Sequence, residues 1–354
     1  MQTNQIFKGL KIVELASVLA GPAVGQFFAE LGATVIKVEN SQTGGDVTRR
    51  WKLPQENKND PFSAYYHSTN WGKENMLLDF TDEAERKVAH QLIAQSEIVI
   101  ANFKSSSAAK LQMDYDYLKK INPELIYANL TAFGENDDTP GFDVLLQAET
   151  GFLFMNGEPE RPPVKLPVAL IDLLAAHQIK EAILIALLKK KETGKGSYIA
   201  VSLAKSAIAA LANQAANWLN VGHVPQPMGT QHPNISPYGD IFKTKDKKEI
   251  ILAVGTEKQF ADLCDILHLS AIKNDERFSI NNERVKNRKA LIEILQKAFF
   301  NFNQEELLNQ FKLKKVPAGI IRNMQQVFEM PIAQEMILEN KYGGKCVRTV
   351  AFEM

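Results

Sequence analysis

Six short, strand-like segments recur along the first two hundred residues, separated by helix-like stretches, and this alternation limits the fold more than any other feature. They read KIVEL (11–15), TVIKVE (34–39), NMLLDF (75–80), EIVIANF (97–103), LIYANLTAF (125–133) and SYIAVSL (197–203). Most are near-continuous apolar runs rich in β-branched residues, the pattern of strands buried on both faces. Between them, residues 23–31 read as a helix opened by Pro22 and stopped by Gly32, and residues 81–94 as a helix with Thr81 as its cap. Strands alternating with helices specify an α/β fold with a mostly parallel sheet, a large Rossmann-like domain. Ligands of such sheets bind beyond the carboxyl ends of the strands. Here those ends lead into residues 16–22, 40–50, 102–107 and 134–142.

The pattern changes after residue 221. A helical stretch at 204–221, filled with Ala, Asn and Gln, suits close packing against other helices or a second subunit. A Pro- and Gly-rich connector follows at 222–236 (GHVPQPMGTQHPNIS). Beyond it come a hairpin pattern at 237–254, turning at 246–248, helical patterns at 258–267, 289–300 and 304–312, and an apolar run at 316–321. With 354 residues the chain exceeds what one core usually supports. The expected division is a large domain over 1–221, completed by about 330–354, and a small α+β domain with its linker over 222–329.

Composition excludes several classes of partner. Lys plus Arg and Asp plus Glu both total 41, so no global field recruits nucleic acid or an anionic membrane. The uncharged stretch 15–29 is interrupted by Gly21, Pro22 and Gly25 and fits neither a signal peptide nor a membrane span, which makes the cytoplasm the expected compartment. Cys264 and Cys346 stand far apart and point to no disulfide framework and no metal knuckle; Cys264 reads as a small core residue. His223 and His232 lack the spacing and acidic companions of a metal site, and none is expected.

One carboxylate stands out. From Leu166 to Ala176 every residue except Asp172 is apolar, so burial of that run takes a lone charge with it. Two readings stay open. Asp172 caps a helix opening at Leu173, or it is a desolvated nucleophile or proton-transfer group in a cleft. The first strand is not followed by G-x-G-x-x-G, and the chain has neither a Walker loop nor a G-x-S-x-G elbow. The loop after the second strand carries NSQTGGDVTRR, in which Gly44 and Gly45 permit close backbone approach and Arg49 and Arg50 suit phosphate.

Taken in order, these motifs resemble the class III CoA-transferases, the CaiB/BaiF family, which includes formyl-CoA and carnitine CoA-transferases and α-methylacyl-CoA racemases. The resemblance runs along nearly the whole chain. It rests on LASVLAGPAVGQFFAELGATVIKVE (15–39), GGD-x-x-R (44–49), NWGKENMLLDF (70–80), IANFK (100–104), GFDVLLQAETG (141–151), TGKGSYIAVSL (193–203), PYGDIF (237–242) and VGTEKQFADL (254–263). Asp172 follows at the spacing of the family's catalytic aspartate.

The resemblance implies transfer of CoA from an acyl-CoA to a carboxylic acid through a covalent aspartyl intermediate on Asp172. CoA and acyl-CoA would be substrates, with no tightly bound cofactor, and the assembly would be an interlocked homodimer whose active site lies between the large domain of one subunit and the small domain of the other. The implied CoA contacts are Ser17, Val18, Leu19, Ala20, Lys73, Asn102, Phe103 and Lys110, with Lys110 standing where relatives often carry Arg. Candidate substrate-site residues are Phe142, Asp143, Gln147 and Glu257. Leu19 stands where formyl-CoA transferases have glutamine, Asn40 where they have arginine, and 229–232 where they have a glycine-rich flap, which argues against oxalate or formate as substrate. Two alternatives share the fold: a 2-methylacyl-CoA racemase using Asp172 and Glu257, and a CoA-binding protein without turnover. The racemases use a histidine in G-H-D, and here the triplet is Gly141, Phe142, Asp143; phenylalanine exchanges no proton.

Overall fold

Strands β1 (Lys11–Glu14), β2 (Thr34–Asn40), β3 (Glu74–Leu78), β4 (Ile98–Ala101), β5 (Ile126–Thr131) and β6 (Ser197–Ser202) form one parallel sheet in the order β3-β2-β1-β4-β5-β6. The computed structural model describes residues 5–353. Alternate side chains of each strand enter opposite cores. Ile12, Ile98, Ile126 and Ala128 pack under helices α1 (Ala20–Glu30) and α4 (Leu170–Thr193), whereas Val13, Val99 and Tyr127 pack against α2 (Glu83–Ala94) and the helix Tyr115–Ile121. Helix α3 (Asp143–Glu149) adds Leu146 to the first of these cores. Both faces are covered, which is why the strands read as continuous apolar runs.

Local chemistry sets the helix ends. Helix α1 starts two residues before Pro22, which sits in the first turn where its missing N–H costs no hydrogen bond. Helix α2 is capped by Asp82, whose carboxylate accepts the Glu85 N–H at 2.9 Å. Thr81, expected as the cap, instead belongs to the preceding turn, its N–H and hydroxyl both donating to Asp79 Oδ1. Helix α4 runs 24 residues and stops at Gly194, in the left-handed region at φ 69°, with Lys190 and Lys191 in a last turn whose dipole favours cations. The helix expected over 204–221 is two helices, α5 (Leu203–Ala209) and α6 (Ala212–Val221), because Ala212 takes φ 45° and breaks the run.

The chain divides into two compact units. One holds the described residues up to Leu153, Lys165–Pro225 and those from Ile332 onward. The other holds Phe154–Val164 and Gln226–Pro331. In the second, β7 (Tyr238–Lys243) and β8 (Glu249–Ala253) form an antiparallel hairpin, and the apolar run at 316–321 supplies a third strand, β9 (Ala318–Ile320), beside β8. Helices α7 (Glu257–Ile266), α8 (Arg288–Phe299) and α9 (Gln304–Lys314) close over this sheet. Phe242 stacks on Phe299 with ring centroids 4.6 Å apart, and Cys264 is wholly buried in the same core. Among the described residues no helix is long and apolar enough to cross a membrane.

Candidate active site

Strand order reverses at β1, which has β2 on one side and β4 on the other. The loops leaving β1 and β4 therefore diverge and leave a crevice at the carboxyl edge of the sheet. Two adjoining cavities of about 260 and 420 Å³ occupy it, both lined by Ser17, Asn102, Phe103 and Lys104. The smaller extends over Val18, Leu19 and Ala20 to Phe142 and Asp172; the larger extends over Asn40, Gly45 and Arg50.

The loop leaving β1 is held from both sides. The Ser17 N–H donates to Asn102 Oδ1 and the Asn102 amide donates back to Ser17 O, each at 3.1 Å. On the other side the Val18 N–H donates to the Asp46 carboxylate at 3.1 Å. Beneath lies a cluster of charges cut off from solvent. Lys37 Nζ is 2.9 Å from Glu14 and 3.1 Å from Asp46, and it also donates to Ala16 O at 2.7 Å. Lys73 Nζ is 2.8 Å from the other oxygen of Glu14 and donates to Pro22 O and Asn70 Oδ1. Burial works to lower the pKa of Lys37, but Glu14, Asp46 and Glu39 outweigh it and hold that pKa above the ordinary value. Burial lowers Lys73 to about 8, only partly offset by Glu14. Helix α1 lies flush on this cluster at Gly25, where a Cβ would come within 1.9 Å of Glu14 Oε2. Lys73, expected beside CoA phosphates, is thus an internal counter-ion whose side chain is fully buried.

Asp172 sits in the first turn of α4, not at its cap. The helix opens at Leu170, and the N-cap Ala169 has no side-chain oxygen to offer. Asp143, at the start of α3, supplies the missing acceptor, taking the Ile171 N–H at 2.7 Å. Gln147 then braces the approach to the helix, donating to Asp143 Oδ2 at 2.6 Å and accepting the Leu166 N–H at 2.9 Å. With its cap supplied by another element, Asp172 is free of that duty. It is 7% exposed, lines the smaller cavity, and accepts no hydrogen bond from any described residue. Burial, and then the charge of Asp143, push its carboxyl up from 3.8 to about 7. The amino end of α4 partly offsets this by favouring the anion.

The structure sorts the remaining candidates. Ser17, Val18, Leu19, Ala20, Asn102, Phe103 and Phe142 all line the crevice. Lys110 is exposed in the last turn of the short helix Ser105–Lys110 and lines neither cavity. Gln147 is fully buried and lines neither cavity. Glu257 belongs to the second unit, where its carboxylate takes the Asn281 N–H and pairs with the buried Arg284 at 2.6 Å. Burial opposes ionisation of Glu257, but Arg284 and that N–H hold its pKa below the usual range. Two residues were not singled out from sequence. Lys104, next to Phe103 in IANFK, lines both cavities and bonds Asp138 O at 2.8 Å. Tyr65, raised to about 12 by burial and then by Asp172 and Asp143, lies within electrostatic reach of Asp172 and has no local sequence mark. Among the described residues no group of three or more His, Cys, Asp or Glu side chains is placed to hold a metal ion.

A doubly wound sheet with a desolvated carboxylate in the crevice at its switch point places the chain among α/β proteins whose ligands bind at that edge. Comparison with known proteins narrows the class. The chain matches CoA-transferase family III over residues 7–353 and belongs to that family. It is 39% identical over 332 residues to the succinate–glutarate CoA-transferase of Agrobacterium fabrum, covering 92% of this chain and 82% of that one. It is 34% identical over 334 residues to the human succinyl-CoA:glutarate CoA-transferase, covering 94% and 75%. A crystal structure of a CaiB/BaiF family protein from Brucella suis superposes with a TM-score of 0.88 at 38% identity, covering 99% of this chain and 93% of that one. The protein is a family III CoA-transferase.

Proposed function

We propose that this enzyme moves CoA from a short dicarboxylyl-CoA, of which succinyl-CoA is the type, to a second dicarboxylate such as glutarate, with Asp172 as covalent carrier. The Asp172 carboxylate attacks the donor thioester carbonyl, giving an acyl–aspartyl anhydride and CoA thiolate. The thiolate attacks the aspartyl carbonyl, releasing the donor acid and leaving an aspartyl-CoA thioester. The acceptor carboxylate attacks that thioester, giving a second anhydride and thiolate again. The thiolate then attacks the acceptor carbonyl, yielding the new acyl-CoA and the free Asp172 carboxylate. One difficult exchange becomes four acyl transfers of ordinary difficulty.

The observation that carries this reading is Asp172 itself: buried, lining a cavity, and accepting no hydrogen bond from the described residues. A carboxylate without hydrogen-bond donors is a stronger nucleophile, and a cavity that excludes water protects the anhydride and thioester. Racemisation finds less support. Phe142, at the position of the racemase histidine, carries no proton, and Glu257 is occupied by Arg284. The substrates are read from the two succinate/glutarate relatives at 39% and 34% identity.

A dicarboxylate also bears on assembly. Of the described residues lining the smaller cavity only Lys104 is cationic, against Glu135, Asp137, Asp138 and Asp172. A second substrate carboxylate calls for a further cation, which would come from Arg50 in the adjoining cavity or, in a homodimer, from the partner subunit. Apolar side chains left exposed on α6, with Leu219 at 79% and Val221 at 76%, support that assembly.

The test is CoA exchange between succinyl-CoA and glutarate. Asp172→Ala abolishes exchange while leaving the protein folded and able to bind CoA; an active variant refutes the mechanism. Hydroxylamine added during turnover converts Asp172 to a hydroxamate that mass spectrometry finds in its peptide. Unmodified peptide alone, under active turnover, counts against the covalent intermediate.

A further inference from the structure

Val18 is a β-branched residue in the left-handed region, at φ 73°. Its Cβ crowds the backbone there, so such a residue relaxes to the β region unless something holds it. Strained residues of this kind gather at sites where the strain fixes a functional geometry. What holds Val18 is visible: its N–H donates to Asp46 at 3.1 and 3.4 Å. Asp46 is 3% exposed and bears on Lys37, while Thr48 donates to it through both its N–H and its hydroxyl. Asp46 in turn donates its own N–H to Glu39 at 2.6 Å, and Glu39 is forked by Arg49. The charged cluster beneath the sheet edge thus meets this loop at two points, Lys37 at Ala16 O and Asp46 at the N–H of the strained Val18.

The consequence falls on Leu19 and Ala20. Leu19 is the N-cap of α1 without a side-chain cap bond, and it lines the cavity with Ala20 and Asp172. If Val18 relaxed, the Leu19 and Ala20 backbone would turn away from the wall they share with Asp172. We propose that Asp46 is a positioning residue for the transfer reaction: it holds Val18 left-handed and so fixes the Ser17–Ala20 backbone against the acyl group that reacts at Asp172. This makes the GGD-x-x-R loop, Gly44 to Arg49, a clamp on the reacting loop. The proposal deepens the CoA-transferase reading and rests on it for its kinetic arm only.

The discriminating experiment is rescue. Asp46→Ala removes both oxygens that accept the Val18 N–H, and with them the charge that Lys37 meets. Misplacement of a reacting segment by about an ångström costs roughly a hundredfold, so kcat for succinyl-CoA:glutarate exchange falls by about that factor with KM changed far less. Adding Val18→Gly restores most of the lost kcat, because glycine takes φ near 70° without being held. A purely structural role for Asp46 predicts no rescue, since glycine replaces none of its charge interactions; an unrescued, well-folded double variant overturns the proposal. If Asp46→Ala does not fold, Val18→Pro is used instead. Proline fixes φ near −65° and leaves the charged cluster intact, so wild-type kcat in that variant also overturns the proposal. If the wild-type protein shows no exchange with this substrate pair, the substrate reading has failed, and the clamp is judged by amide hydrogen exchange over residues 15–20. Asp46→Ala speeds that exchange at least tenfold where the clamp exists, and leaves it unchanged where it does not.

Discussion

The raised pKa of Asp172 leads to a stability prediction that needs no substrate. Replace Asp172 by Asn, which keeps the shape and cannot ionise. In the unfolded chain an aspartate ionises near pH 4. In the folded protein burial, followed by the charge of Asp143, delays ionisation of Asp172 to about 7. Between those limits the folded state holds a proton that the unfolded state has released, so the stability of the wild-type protein falls as pH rises from about 4 to 7 and is level above. The full difference corresponds to about 4 kcal/mol, a ceiling reached only if the surroundings do not relax on ionisation. Asp172→Asn escapes this loss. Its advantage over wild type, from urea unfolding at a series of pH values, grows between pH 4 and 7 and then stays constant. The same ionisation arms the nucleophile, so kcat/KM of the wild-type enzyme rises along an acid limb with its midpoint near the pH where the stability difference levels off. A stability difference independent of pH from 4 to 9 refutes the claim that Asp172 is held neutral by desolvation.

Asp143→Asn removes the like charge that helps raise Asp172, while its amide oxygen still accepts the Ile171 N–H. The acid limb of kcat/KM therefore moves to lower pH; a limb that stays in place leaves burial as the sole cause. Leu219→Glu puts a charge on the exposed apolar face of α6, and light scattering then shows a shift from dimer toward monomer. A wild-type protein that is monomeric at micromolar concentration sinks the proposed assembly.

The strands were legible because both faces of a parallel sheet demand apolar side chains, and the exceptions within them were informative in a way that local reading undervalues. Glu14 and Lys37 interrupt otherwise apolar strands on β1 and β2, and a charge on a doubly covered strand must find a partner. That reasoning leads to the buried cluster, and with it to Lys73, for which the family resemblance implied a CoA contact. The cap of α4 was not legible. A capping rule looks at adjacent residues, and the acceptor for the Ile171 N–H is Asp143, 28 positions earlier and brought there by α3. The break between α5 and α6 has no glycine or proline to announce it, since the residue that turns is Ala212.

The two sets of buried acids at the sheet edge make the final distinction. Glu14, Glu39 and Asp46 are each met by Lys37, Lys73, Arg49 or backbone N–H donors, which is what a buried carboxylate needs merely to exist. Asp172, nearly as hidden as Glu39 at 7% against 5% exposed, is met by none. A fold that satisfies its other acids so fully at this edge could have satisfied this one by placing a lysine or a hydroxyl opposite, as it does for Asp46. Instead the nearest charge is a second carboxylate, whose own hydrogen bonds are directed at the helix end and away from Asp172. The unpaired acid is costly to stability at neutral pH, and that cost is the reason to read Asp172 as the reacting group and not as another strut.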